Sequence, residues 1–281
     1  HTHEYISTGQ QDSKFGFNLA GGAAFEAVKR AAAKPHLELL GIHSHIGSQI
    51  FEVEGFRLAA AKAAEFAIQV RDELGICFRV INLGGGFGIR YTAEDKPLPA
   101  ATYVQAIADA VRTNFTAAQY PLPEIWIEPG RSIIGDAGTT LYTVGTTKDI
   151  PGVRKYVAVD GGMTDNPRPA LYGSKYEAVL ANRANEPATE TVSIAGKCCE
   201  SGDMLIWDIE LPAVKPGDLL AVFCTGAYNY AMSSNYNRIP RPAVVFVKDG
   251  QASLVVRRET YEDIVGCDLL PERLKAATAA N

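Results

Sequence analysis

Three stretches in the first half of the chain combine residue types that could do chemistry. Gly84-Gly85-Gly86-Phe87-Gly88 places four glycines in five residues directly after an apolar run. Successive N–H groups without side chains can close around an anion, so the segment reads as a phosphate nest; the plainer alternative is a tight turn that holds nothing. It fails G-x-G-x-x-G, because Ile89 occupies the sixth position, and no GK[ST] follows, so the usual dinucleotide and ATP loops are disfavoured. Glu128-Pro129-Gly130-Arg131 could set a carboxylate against a positively charged ring nitrogen. Its arginine could grip a carboxylate or phosphate in a bidentate fork, or the two charges could simply pair at a turn. His43 and His45 lie two apart, so a strand there puts both on one face, with Gly47 and Ser48 just beyond. His1 and His3 repeat the spacing, but no histidine follows His45, which leaves a metal hydrolase short of ligands. A flat imidazole could stack on an aromatic cofactor ring, or serve as a hydrogen-bonded structural residue.

The second half carries three more. In Lys197-Cys198-Cys199-Glu200-Ser201-Gly202-Asp203 a thiol beside acidic residues tends to stay protonated, which suits a proton donor better than a nucleophile; a packing cysteine is the alternative. Asn166-Pro167-Arg168-Pro169-Ala170-Leu171-Tyr172 fixes Arg168 between two prolines, as a preorganised carboxylate site requires. Thr225-Gly226-Ala227-Tyr228-Asn229-Tyr230 is an aromatic loop. Surface decoration is the competing account of both.

The elements that must position these residues follow two grammars. Up to about residue 135, helix and strand alternate. Helix is expected over 18–33. A second is expected over 54–75, where Phe56, Ala60, Ala63, Ala67, Val70 and Leu74 recur at helical spacing. A third carries Tyr103, Ile107, Val111 and Phe115. Strands are expected in 37–48, 77–88 and 124–131, each ending in a chemically loaded loop. Such alternation implies a parallel sheet with right-handed crossovers and chemistry at the C-terminal strand ends. From 136 to 281 short strands separated by Gly, Pro and Asp turns imply a β domain, closing in a frayed tail, RLKAATAAN. Three strand–helix units cannot close a (β/α)8 barrel, which takes roughly 250 residues. With no initiator Met before His1, the expectation is the back part of a longer polypeptide.

Composition narrows the classes. The 281 residues carry 27 Lys+Arg against 32 Asp+Glu, a net charge of −5, with no basic cluster, which argues against nucleic acid as a partner. No apolar run reaches transmembrane length, and the start lacks the order of a signal peptide. Five cysteines without a C-x-x-C pair suit reduced thiols in a cytoplasmic protein.

In order along the chain, HIGS, NLGGGFG, EPGR, RPALY, CESGD and GAYNYAMSSNYNRIPRP resemble the fold type III pyridoxal-phosphate decarboxylases, the family of ornithine, diaminopimelate and arginine decarboxylases. The resemblance runs over essentially the whole chain. It implies the C-terminal part of an alanine-racemase-like (β/α)8 barrel (1–135) followed by a β-sandwich or barrel domain (136–281), working as a homodimer with shared sites. It also implies decarboxylation of meso-2,6-diaminopimelate to L-lysine, with pyridoxal 5'-phosphate as cofactor and no metal. By the same resemblance His45 stacks on the cofactor ring near Ser48. Gly85, Gly86 and the backbone at Gly130 hold the phosphate, and Glu128 pairs with the ring nitrogen. Arg131, Arg168 and Tyr172 take the distal carboxylate of the substrate and Glu200 its ammonium. Cys199 supplies the proton, Tyr228 touches cofactor and substrate, and Cys199 and Glu200 come from the partner subunit. The family's cofactor lysine sits in a Y-x-V-K-A-N-type segment, which no lysine here matches from Lys14 onward. The first barrel strands are therefore expected elsewhere, as a separate chain or lost. An ornithine- or arginine-type decarboxylase and a catalytically dead, partner-binding homologue are the alternatives. Paired Arg131 and Arg168, and C-E-S in place of C-D-G, favour a substrate with two carboxylates.

Overall fold

Alanine-rich periodicity builds the core of the first unit. The computed structural model describes residues 13–274. Two compact units divide the chain, His1–Asp136 and Ala137–Asn281. The H-x-H pair at His1 and His3, and residues 275–281 of the expected frayed tail, lie outside the described residues.

In the first unit, helices α1 (Ala23–Ala32), α2 (Glu54–Leu74) and α3 (Ala100–Ala117) alternate with strands β1 (Gly41–His43), β2 (Val80–Asn82) and β3 (Glu124–Trp126). The strands pair in parallel in the order β1-β2-β3. Helix α2 buries Phe56, Ala60, Ala63, Ala67 and Val70, and α3 buries Tyr103, Ile107, Val111 and Phe115, so each turns one apolar stripe to the sheet. Gly75 ends α2 in the left-handed conformation (φ 69°), its N–H bonded to the Arg71 carbonyl at 2.8 Å.

The strand expected over 37–48 is much shorter than its apolar run. Only Gly41–His43 pair with β2, and β1 is an edge strand with His43 exposed. Of the apolar residues in that run, Leu39, Ile42 and Ile46 pack partly against the core, while Leu37 and Leu40 stay exposed. His43 and His45 therefore do not share a strand face, because His45 lies in the loop beyond β1.

The second unit holds a six-stranded mixed sheet in the order β6-β9-β4-β5-β7-β8. Its members are β4 (Thr139–Ile150), β5 (Arg154–Val159), β6 (Ala178–Leu180), β7 (Glu190–Ala195), β8 (Met204–Leu211) and β9 (Leu219–Phe223). The first half of β4 pairs with β9 and the second half with β5, and the register shifts between Val144 and Thr146, so one long strand serves two neighbours. A separate hairpin joins β10 (Val244–Lys248) and β11 (Gln251–Val256). Short helices are α4 (Gly130–Ile134) in the first unit and α5 (Arg168–Tyr172) and α6 (Tyr261–Val265) in the second, beside several 3-10 turns. Among the described residues no helix is long and apolar enough to cross a membrane.

Candidate active site

In the first unit the loops after β1, β2 and β3 meet. Phe87 fixes the glycine loop from below: its ring stacks on Tyr103 (4.7 Å between centroids, 10° between planes) and meets Phe56 edge-on at 5.3 Å. Phe56, Phe87 and Tyr103 are almost wholly buried, and each such side chain stabilises the fold by about 1.5–3 kcal/mol, enough to hold a glycine-rich segment that has no side chains of its own to pack. Tyr103 donates to the Ile50 carbonyl (2.8 Å), and Ile50 exchanges backbone bonds with Gly86 and Gly88 (2.9 Å each).

Two glycines in this loop are required by space. A Cβ on Gly85 would stand 1.9 Å from the Glu128 carbonyl oxygen, and one on Gly86, whose φ is +100°, would stand 2.3 Å from that of Gly47. The Gly85 N–H reaches His45 Nδ1 at 3.3 Å, which leaves the proton of a neutral imidazole on Nε2. Gly84 is tied to β3's loop through Glu128 N to Gly84 O at 2.8 Å. The Gly130 N–H turns back to the Glu128 carbonyl (2.8 Å) around Pro129 (φ −80°, ψ 50°), an inverse γ-turn that starts α4.

Arg131, 9% exposed, donates from Nη2 to Ser48 Oγ at 2.8 Å and from Nη1 to the Tyr91 hydroxyl. Its guanidinium lies 5.6 Å from the Tyr91 ring centroid. The Glu128 carboxylate is half exposed and held on both oxygens: Asn82 Nδ2 donates to Oε1 (2.8 Å), and His43 Nε2 lies 3.4 Å from Oε2. His45, Ser48, Gly85, Gly86, Glu128, Gly130 and Arg131 thus line one rim at the C-terminal ends of three parallel strands.

In the second unit hydrogen bonds tie the segments that carry and flank the three motifs to one another. Lys197 N donates to Gly161 O (3.0 Å), Ser234 N to Thr164 O (2.8 Å), and Cys199 N to Asn237 Oδ1 (2.7 Å). Asp203, only 3% exposed, is the hub: its carboxylate accepts from Met163 N (2.6 Å) and Cys198 N (2.8 Å), and Gly162 and Gly196 have no room there for a Cβ. Arg168 is buried against Tyr176, donating to its hydroxyl at 2.5 Å, while Tyr172, Cys199, Glu200 and Tyr228 face solvent. Tyr228 adopts the left-handed region (φ 64°), which turns it out of its loop. Glu200 Oε1 accepts from Gly202 N at 3.1 Å. Burial raises the Asp165 carboxyl above its ordinary range beside the Tyr142 hydroxyl.

Burial first, then Asp203, push the Cys198 thiol up to about 12. Cys199 stands exposed beside it. No disulfide joins the five cysteines, and among the described residues no group of three or more His, Cys, Asp or Glu side chains could hold a metal.

Sequence reasoning missed Asn82, Tyr91, Tyr176, Asp203 and Asn237. The Asn82–Glu128 and Met163–Asp203 contacts span 46 and 40 residues of chain, and no local spacing announces them. Asn82, Asp203 and Asn237 do stand inside the motifs NLGGGFG, CESGD and GAYNYAMSSNYNRIPRP, but nothing in those motifs assigns them a role.

Comparison with known proteins agrees with this geometry. Residues 1–135 match the family described as pyridoxal-dependent decarboxylase, pyridoxal binding domain. The chain is 64% identical over 269 residues to diaminopimelate decarboxylase of Bacillus subtilis (strain 168), covering 96% of this chain and 61% of that protein. It is 48% identical over 266 residues to that of Staphylococcus aureus (strain COL), covering 62% of it. Among solved structures, diaminopimelate decarboxylase from M. jannaschii in complex with L-lysine superposes with a TM-score of 0.90 at 36% identity, over 97% of this chain and 62% of that one. The chain thus spans about three-fifths of the length of the relatives it matches.

Proposed function

We propose that this chain, a relative of the diaminopimelate decarboxylases, supplies the cofactor rim and the substrate-binding loops of an enzyme that converts meso-2,6-diaminopimelate to L-lysine and carbon dioxide. The observation that carries the cofactor is the rim of the first unit. Gly85 and Gly86 lie so close to the Glu128 and Gly47 carbonyls that neither admits a Cβ, which keeps this strand end free of side chains, and a carboxylate stands fixed at the next strand end. A phosphate-bearing, nitrogen-containing ring fits that pairing, and pyridoxal 5'-phosphate is such a group. When bound it supplies an electron sink for the charge left by departing carbon dioxide.

The residues then divide the work. Gly85, Gly86 and the α4 start at Gly130 hold the phosphate. Glu128 keeps the ring nitrogen protonated, and His45 covers the ring. Arg131, oriented by Ser48 and Tyr91, acts with Arg168 and Tyr172 on the distal carboxylate of the substrate. Glu200 binds the substrate's ammonium, and Tyr228 closes on cofactor and substrate. Cys199 Sγ delivers a proton to the carbon that has lost its carboxylate; its exposure gives it more access to a ligand than half-buried Cys198 has.

A homodimer with shared sites, Cys199 and Glu200 serving the partner's, rests on the sequence resemblance, as does the cofactor lysine's place in a segment this chain does not match; a cytoplasmic location rests on the five cysteines without a C-x-x-C pair. Carbon dioxide release by the natural protein carrying this sequence, measured with meso-diaminopimelate against ornithine and arginine, tests the substrate. Turnover of diaminopimelate with lysine as product is expected; faster release from ornithine or arginine would overturn it.

A further inference from the structure

We propose that Asn82 and His43 are positioning residues that hold the Glu128 carboxylate at the angle needed to meet a ring nitrogen, and that Asn82 locks this carboxylate to the glycine cradle. The inference deepens the proposed function and rests on its reading of Glu128.

Strand register puts the pieces at one level. His43 pairs with Asn82 across β1–β2, and Asn82 with Trp126 across β2–β3, so all three strands end together and Glu128 follows two residues later. Asn82 makes two bonds of opposite sense. Its Nδ2 donates to Glu128 Oε1 at 2.8 Å, and its Oδ1 accepts from the Gly84 N–H at 2.9 Å. That pairing settles the amide's orientation on chemical grounds, since the flipped amide would set oxygen against a carboxylate and NH2 against an N–H. One rigid side chain therefore joins the carboxylate to the first glycine of the cradle. A ring bound through its phosphate to Gly85 and Gly86 then meets Glu128 at a fixed offset. His43 Nε2 lies 3.4 Å from Oε2 with both side chains half exposed, so it steers the second oxygen more weakly than Asn82 steers the first.

The test uses the natural protein that carries this sequence and compares its dissociation constants for pyridoxal 5'-phosphate and for the 1-deaza analogue, in which C–H replaces the ring nitrogen. A charge-assisted bond from Glu128 favours the nitrogen-containing ring by about 10–100-fold. Asn82→Asp keeps the acceptor for Gly84 N–H but sets a carboxylate against Glu128, so the preference should fall to about threefold or less while the deaza affinity changes little. His43→Phe should lower the preference in part, and His43→Gln, which keeps a donor, should restore most of it. A merely structural role would weaken both ligands alike and leave the ratio standing. Glu128→Gln separates the two levels of the argument. If it abolishes the preference while Asn82→Asp and His43→Phe leave it intact, the positioning proposal falls alone. If Glu128→Gln itself leaves the preference intact, the reading of Glu128 falls and this proposal with it. Thermal melts identify a variant that fails to fold, and Asn82→Ser, which is smaller and uncharged, then carries the test, with a lowered ratio expected and an unchanged one overturning the proposal.

Discussion

Gly85→Ala should damage the cradle by a predictable amount, and Gly130→Ala should not. At Gly85 the added Cβ would sit 1.9 Å from the Glu128 carbonyl oxygen and 2.7 Å from its carbon, both backbone atoms that no rotamer change can move. Real Cβ atoms essentially never come within 3.0 Å of such an atom, so the two loops must part by about 1.1 Å. Overpacking of this kind costs about 1–3 kcal/mol. Parting the loops also stretches the Glu128 N to Gly84 O bond, now 2.8 Å, for about 0.5–1.5 kcal/mol more. Together the loss is about 2–4 kcal/mol, a fall in Tm of about 5–15 °C for a chain of this size. At Gly130 nothing lies within 4 Å of the new Cβ, so Ala there is neutral or stabilises slightly by restricting the unfolded chain. Circular dichroism melts of the two variants, with cofactor affinity measured alongside, check the contrast. Gly85→Ala with an unchanged Tm and unchanged affinity would refute the reasoning, as would Gly130→Ala if it proved the more damaging.

Three further outcomes are expected. Because Cys198 is raised to about 12 when folded, against about 8.5 unfolded, its contribution to stability is fully present below pH 8.5 and is lost as pH climbs towards 12. Urea midpoints should therefore fall more steeply between pH 8.5 and 10 in the wild type than in Cys198→Ala; equal slopes would contradict the assignment. Ser48→Ala removes an acceptor from the buried Arg131 guanidinium and should raise KM for diaminopimelate by about 10-fold, with Tyr91→Phe acting in the same direction, both read by steady-state kinetics. Asp203→Asn takes one charged acceptor from two backbone donors and should cost about 1–3 kcal/mol in chemical denaturation, with iodoacetamide reaching Cys198 faster as its loop loosens.

How much of this was legible before the fold depended on whether the signal was local. Helices α2 and α3 follow from apolar residues at helical spacing, and the chemistry-bearing loops from turns at the ends of apolar runs. The strand over 37–48 was over-read because an apolar run does not by itself imply a partner: Leu37 and Leu40 stay exposed, and only three residues of β1 have a neighbour to pair with. Strand β8 carries a weak local signal: it begins directly after the CESGD turn, and Asp208 breaks its alternation with a left-handed φ of 52°. Three-residue β6 is too short to leave a pattern. For the site, glycine clusters and an arginine between prolines advertise themselves by type. Asn82 and Asp203 do not, because what distinguishes them is a hydrogen bond to a residue some 40 positions away. Cys198 and Cys199 are chemically identical in sequence, and only burial tells them apart.

Borohydride reduction of the natural protein carrying this sequence, followed by intact mass of every polypeptide present, tests the central claim most directly. A pyridoxyl adduct in the protein, diminished in Gly85→Ala, is the predicted result. A protein that carries no adduct and releases no pyridoxal phosphate on denaturation would contradict the account.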